Sequence, residues 1–187
     1  MFKPGSLIAM MLAAGLSTAA LPATSGAQGA AGQQGQAGQP SLSKSDREFV
    51  EKAALGGLLE VRLGQLAQQR ASSPDVKSFG QRMIDDHAAV NKRLAELAQR
   101  KGVLVPQELD QKHREKVDKL SKKTGAEFDR AYMSDMVDDH EDDVAEFEKA
   151  AKEAKDADLK GFAAATLPKL REHLALARQV NGKVKGK

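Results

Sequence analysis

From Ser45 to Val180 the chain has no alternating apolar run of the strand type. β-Branched residues are sparse, and Ala, Leu, Glu, Lys, Gln and Arg dominate. A segment this long without a strand pattern can bury its apolar residues only by packing helix on helix, so the fold class is all-α. Local chemistry marks the breaks. Ser45-x-x-Glu48 and Thr124-x-x-Glu127 read as capping boxes, Ser73-Pro74-Asp75 puts proline at a first helical position, and Asp156 or Asp158 can cap the last helix. Long helices are expected at about 45–71, 74–101, 125–155 and 157–181. The connection at about 102–124 starts Gly-Val-Leu-Val-Pro and continues as a short polar helix. Breaks near 72 and 156 are tight enough for antiparallel hairpins, and the middle connection is long enough to run the length of a bundle. The expected architecture is a ferritin-like four-helix bundle of two antiparallel hairpins joined by a long crossover containing a short helix.

The N-terminal stretch MFKPGSLIAMMLAAGLSTAALPATSGAQ has one lysine, an apolar run from Leu7 to Ala20, and small residues suited to cleavage near Ala27. That pattern predicts a secretory signal peptide over 1–27. GAAGQQGQAGQPS is rich in Gly and Gln and has almost no apolar mass, so residues 28–43 are expected as a flexible leader. A helical domain over 44–182 and a basic tail over 183–187 complete the chain. The apolar run falls short of the ~20 residues that span a bilayer, so no transmembrane anchor is expected. The absence of cysteine removes disulfides, thiolate metal sites and a lipid anchor on Cys. An exported, periplasmic protein is the economical reading. A formal charge of +3, with both signs interspersed and no aromatic stacking platform, gives no basis for a nucleic-acid partner.

Unrolling the helices at about 100° per residue separates wet from dry faces. In the second helix Asp85, Lys92, Arg93, Glu96 and Arg100 face out, whereas Val76, Met83, His87, Val90, Leu94 and Leu97 face in. In the third long helix Met133, Met136, His140, Val144 and Phe147 face in; in the fourth His173 shares a face with Phe162, Thr166, Leu170 and Ala177. The first helix turns Glu60 inward among Ala53, Gly57, Gly64 and Ala67, where the glycines allow close helix approach or leave room for a bound atom. Each long helix thus points one ionisable residue inward, about 18 to 26 Å from its hairpin loop and hence near mid-height.

Four buried polar groups at one level must satisfy one another or bind something. One reading is a buried Glu–His network without metal, in a non-catalytic envelope or stress-associated structural protein. The other is a single transition-metal ion, Zn, Cu, Ni or Fe, held by Glu60, His87, His140 and His173, with Asn91 and Asp143 one turn beyond as supporting groups. Met83 and Met136, four residues before two of the histidines in MIDDH and MVDDH, read as core filler. The acidic pairs Asp85-Asp86 and Asp138-Asp139 read as a solvated edge, and His113 in the crossover as exposed. A haem has no CxxCH and too few aromatics around it, and nucleophilic catalysis has no cysteine, serine motif or phosphate loop to rest on. Any enzymatic activity would be metal chemistry.

The segments FVEKAALGGLLEVRLGQLA, VKSFGQRMIDDHAAVNKRLAELAQRKG and FDRAYMSDMVDDHEDDVAEFEKAAKEAKDADLKGFAAATLPKLREHLALARQV resemble a bacterial family of exported proteins built on a domain of unknown function. The paired M-[IV]-x-D-H segments and LPxLxxHL at Leu167–Leu174 carry the likeness, which spans about 45–180. Members are often labelled outer-membrane proteins, and the resemblance implies a ferritin-like fold. By that pattern His87, His140 and His173 match the family's signature histidines, and Glu60 sits in its Glu-Val-x-Leu-Gly stretch. Di-iron bundles place Glu three residues before His on two helices. Here those positions are Ile84, Val137 and Leu170, so a ferroxidase centre is not implied.

Overall fold

The computed structural model describes residues 42–186; the expected signal peptide (1–27) and nearly all of the expected leader (28–43) lie outside them. The described residues are all-helical: α1 (Lys44–Arg70), α2 (Pro74–Arg100), α3 (Gln111–Ser121), α4 (Gly125–Glu153) and α5 (Ala157–Lys185). The closest packing is between α1 and α2 and between α4 and α5, with α1 also against α4, α2 against α5, and α3 against α1 and α4. No helix among the described residues is long and apolar enough to cross a membrane.

Several helix starts differ in detail from the sequence expectation. The cap of α1 is Ser43, whose hydroxyl accepts from the Asp46 amide, and not Ser45. Leu42 is buried, so the core begins inside the segment expected as leader. Thr124 stands at the start of α4 without a side-chain cap bond, and the Glu127 carboxylate pairs with Lys123. Asp156 caps α5 by accepting from the amides of Asp158 and Leu159. That helix runs through Pro168 and on to Lys185, past the expected end at 181 and into the expected basic tail, because Val184 is buried.

Two buried aspartates lock the helix ends. Asp46 in the first turn of α1 accepts the amides of Lys155 (3.0 Å) and Asp156 (3.1 Å) in the α4–α5 turn. Asp129 near the start of α4 accepts the amides of Ser72 (3.1 Å) and Ser73 (2.9 Å) and the Ser72 hydroxyl (2.5 Å) in the α1–α2 turn. Each hairpin thereby holds the turn of the other. These contacts set the start of α1 beside the end of α4 and the end of α1 beside the start of α4. Lys183 pairs with Asp75 at 3.0 Å, which does the same for α5 and α2. The connection after α2 therefore travels the length of the α1–α4 groove, with Val117 and Leu120 of α3 buried there.

The apolar interior falls into two clusters. One contains Leu63, Leu66, Phe79, Met83, Phe128, Tyr132, Met136 and Val180. The other contains Phe49, Val50, Leu94, Leu97, Phe147, Phe162 and Leu170. Fully burying a side chain of this kind stabilises by about 1.5–3 kcal/mol, so the two clusters carry the fold. Between them, at the level where Met83 gives way to Leu94 and Leu170 to Ala177, lies a layer of buried polar groups. Helix approach in this region relies on small residues. A Cβ at Gly64 would stand 2.6 Å from the Gly80 carbonyl oxygen, and one at Gly57 would stand 1.9 Å from Asn91 Oδ1. The first is a backbone-to-backbone contact of α1 with α2; the second makes room for the Asn91 amide.

Candidate metal centre

The inward faces of α2, α4 and α5 bring three imidazoles together. Ring centroids lie 5.7 Å apart for His87 and His140, 5.3 Å for His87 and His173, and 5.4 Å for His140 and His173. One nitrogen from each ring lies within 4.8 Å of the other two. All three residues are buried.

Two of the rings are oriented by a second hydrogen bond. Nδ1 of His140 lies 2.8 Å from the Met136 carbonyl oxygen, to which it can only donate. Nε2 of His173 lies 2.8 Å from Asp86 Oδ2. Burial, against the pull of Asp86, lowers the His173 imidazole to about 4. Asp86 is held below the usual carboxylate range, its partial burial being outweighed by the His173 hydrogen bond and the nearby cations. At neutral pH the pair is therefore an imidazole N–H donating to a carboxylate, with Nδ1 left as a lone pair. Burial also lowers His140, and pushes His87 well below the ordinary imidazole value with help from the two other rings. The buried nitrogens without a hydrogen-bond partner are His87 Nε2, His140 Nε2 and His173 Nδ1, one per ring. Three neutral imidazoles with one free lone pair each are a donor set for a transition metal, and a ligand histidine commonly gives its other N–H to a carbonyl or carboxylate.

Glu60, the fourth residue expected at this site, is buried at the same level but is not a member of the three-nitrogen group. It faces α4 and α3: burial, then the charge of Asp139, raises its carboxyl well above the ordinary value, partly offset by Lys116. Its Oε2 has no hydrogen-bond partner, and neither has the hydroxyl of the buried Tyr132, whose ionisation burial and then Glu60 push up. Asp143, one turn beyond His140, is raised to about 7, by burial first and Glu60 second. Asn91 packs its amide against Gly57, with Oδ1 buried and unpartnered.

The acidic pairs divide, and the sequence reading of a solvated edge holds only for the first member of each. Asp85 and Asp138 are exposed. Asp86 is half-buried and bonds His173, with Arg82 at 3.4 Å and Lys169 at 3.6 Å. Asp139 receives Lys116 Nζ at 2.5 and 2.6 Å. The sequence signal for this was the position of the second aspartate, about 100° from its histidine and so at the edge of the dry face. His113 is not exposed as expected either: its Nδ1 lies 2.6 Å from Asp110 and its side chain is largely covered.

Solved structures with this fold include a fragment of DUF305 from Deinococcus radiodurans (TM-score 0.67, 15% identity, covering 77% of this chain and 99% of that one). Another is CopM in the Cu(II)-bound form (TM-score 0.59, 15% identity, covering 74% and 96%). At such identity the likeness is one of fold. No curated protein matches the chain. The family model for a domain of unknown function, DUF4142, matches residues 31–180, which take in all of α1 to α4 and most of α5. The chain belongs to the DUF4142 family.

Proposed function

We propose that this protein is an exported metal-binding helical protein that holds one transition-metal ion on His87, His140 and His173. The observation that carries the reading is the set of three buried, mutually close imidazoles, each with one unpartnered nitrogen. Leaving a buried polar atom unpaired costs about 1–3 kcal/mol, so three in one place are a persistent penalty that an ion would relieve. The metal-free network requires the four groups to hydrogen-bond one another, and no such bond forms among them. Cu(II) is the first ion to test, because imidazole nitrogen suits it and a protein of similar fold has been solved with Cu(II) bound. Bound there, the ion would supply a Lewis-acidic or redox-active centre, and the chain's own part is to hold three neutral imidazoles dry and fixed. His173 is fixed by Asp86 and His140 by the Met136 carbonyl.

The layout supports a ferritin-like bundle, since two hairpins are joined by a connection along the α1–α4 groove. The di-iron ligand pattern is absent, so we do not extend the reading to iron storage. Export rests on the signal-like segment 1–27, and the periplasm is the compartment it supports. Elemental analysis of the protein purified after export, followed by loading of the stripped form, tests the function: about one ion per chain is expected. A stripped protein that takes up none would overturn it.

A further inference from the structure

The three histidines are buried, so an ion needs a path to them, and the two flanks of the histidine layer differ in charge. On the α2–α5 side the nearest polar group is Asp86, which is taken up by His173 and backed by Arg82 and Lys169. Glu172 stands 3.0 Å from Arg82 and 3.7 Å from Lys169, so the charges on this flank are paired off and leave no excess to draw a cation. On the α1–α4 side a cleft of about 840 Å³ opens, lined by eight carboxyl groups against three lysines. Its inner wall includes Glu60, only 1% exposed, whose Oε2 has no partner. Asp139 and Asp143 line it as well, and they stand one and three positions from His140 on the same helix. An i, i+3 pair lies about one turn apart on one face, so Asp143 bridges the level of the cleft and that of the imidazoles.

We propose that this α1–α4 cleft is the entry and exit route of the metal ion, with Glu60 and Asp143 as transient oxygen ligands that pass a divalent cation between water and the histidines. The proposal rests on the metal centre assigned above. Carboxylates exchange for water on a divalent ion and then yield it to imidazole, which binds borderline metals more tightly. A cleft in which carboxyl groups outnumber lysines in this way also concentrates the ion at its mouth. Glu60 is thereby a group on the path, where the sequence reading had it as a fourth ligand.

Uptake kinetics separate the two roles. Tyr132, the chain's single tyrosine, packs against Phe79, which in turn contacts His140, and it provides a fluorescence reporter for Cu(II) arrival in the full chain. Stopped-flow mixing with Cu(II) gives the association rate, and release into excess EDTA gives the dissociation rate. Glu60→Gln and Asp143→Asn should each slow both rates by about tenfold while the dissociation constant stays within about threefold. Asp142→Asn, on the exposed lip of the cleft, should slow association at low salt and lose that effect at high salt. It serves where Glu60→Gln fails to fold. Glu148→Gln, outside the cleft and paired with Arg171 of α5, is the control. Unchanged rates in the cleft variants with binding intact would overturn the route alone. A weakened dissociation constant with faster release would also overturn it, by making Glu60 or Asp143 a resident ligand. No Cu(II) uptake by the unaltered chain would overturn the route and the metal centre together.

Discussion

Two sets of buried polar groups sit a few turns apart in this molecule, and they are treated in opposite ways. At the ends of the helices Asp46 and Asp129 are as buried as core leucines, yet their carboxylates accept two and three hydrogen bonds from the turn of the opposite hairpin. At the centre His87, His140, His173 and Glu60 are equally buried and each keeps an atom without a partner. The first set is architecture, because every buried group is satisfied within the chain. The second is a standing cost that the fold does not relieve, and a cost retained in the middle of an otherwise complementary core points to a ligand.

Breaking the central set should remove binding while sparing the fold. The combined variant His87→Leu, His140→Leu, His173→Leu is expected to lose metal affinity by at least about a thousandfold, measured by competition with a chelator. Its metal-free melting temperature should be equal to or above that of the parent, since apolar groups of similar volume replace unsatisfied polar ones. It should also resist acid better. The buried imidazoles titrate below their unfolded value, so the stability they permit is complete above about 6.5 and is lost as pH falls toward the folded value, about 4 for His173. The triple variant lacks that loss, and thermal melts at pH 7 and 4.5 would show it.

Breaking the end set should do the reverse. Asp129→Ala strands the Ser72 and Ser73 amides and is expected to cost about 2–4 kcal/mol in urea unfolding, with metal stoichiometry unchanged in the folded fraction. Asp86→Asn tests the boundary between the sets, since Asp86 is half-exposed yet orients a central ring. Removing such a partner typically weakens metal binding about 10–100-fold, and calorimetry should find that loss with little change in folding stability. The smallest effect is expected at Asp143. Its carboxyl is raised to about 7 from 3.8, so the stability it contributes is present below 3.8 and lost as pH rises through 7. Metal-free Asp143→Asn should therefore melt a few degrees above the parent at pH 8, and the gap should close as the pH is lowered to 5.

The helices and the inward faces were legible in the sequence because both follow from helical periodicity, a property of each segment alone. His87, His140 and His173 could be placed at one height for the same reason. What the sequence did not reveal depends on how helices are rotated against each other. Asp86 looks solvated on its own helix and becomes a histidine partner only because α5 presents His173 to it. Nothing on their own helices marks Asp46 and Asp129, whose role arises from the turns of the opposite hairpin. Glu60 was correctly placed inside, but its azimuth relative to the histidines turns it toward α3 and α4, among Lys116, Asp139 and Asp143.

Metal stoichiometry and ligation in the loaded protein test the central claim most directly. Cu(II) titration of the stripped full-length chain, followed by electron paramagnetic resonance, should reach about one ion per chain with nitrogen hyperfine structure from imidazole ligands. That signal should vanish in the triple histidine variant. Stoichiometric nitrogen-ligated binding that survives in the triple variant, or no uptake by the unaltered chain, would contradict the assignment.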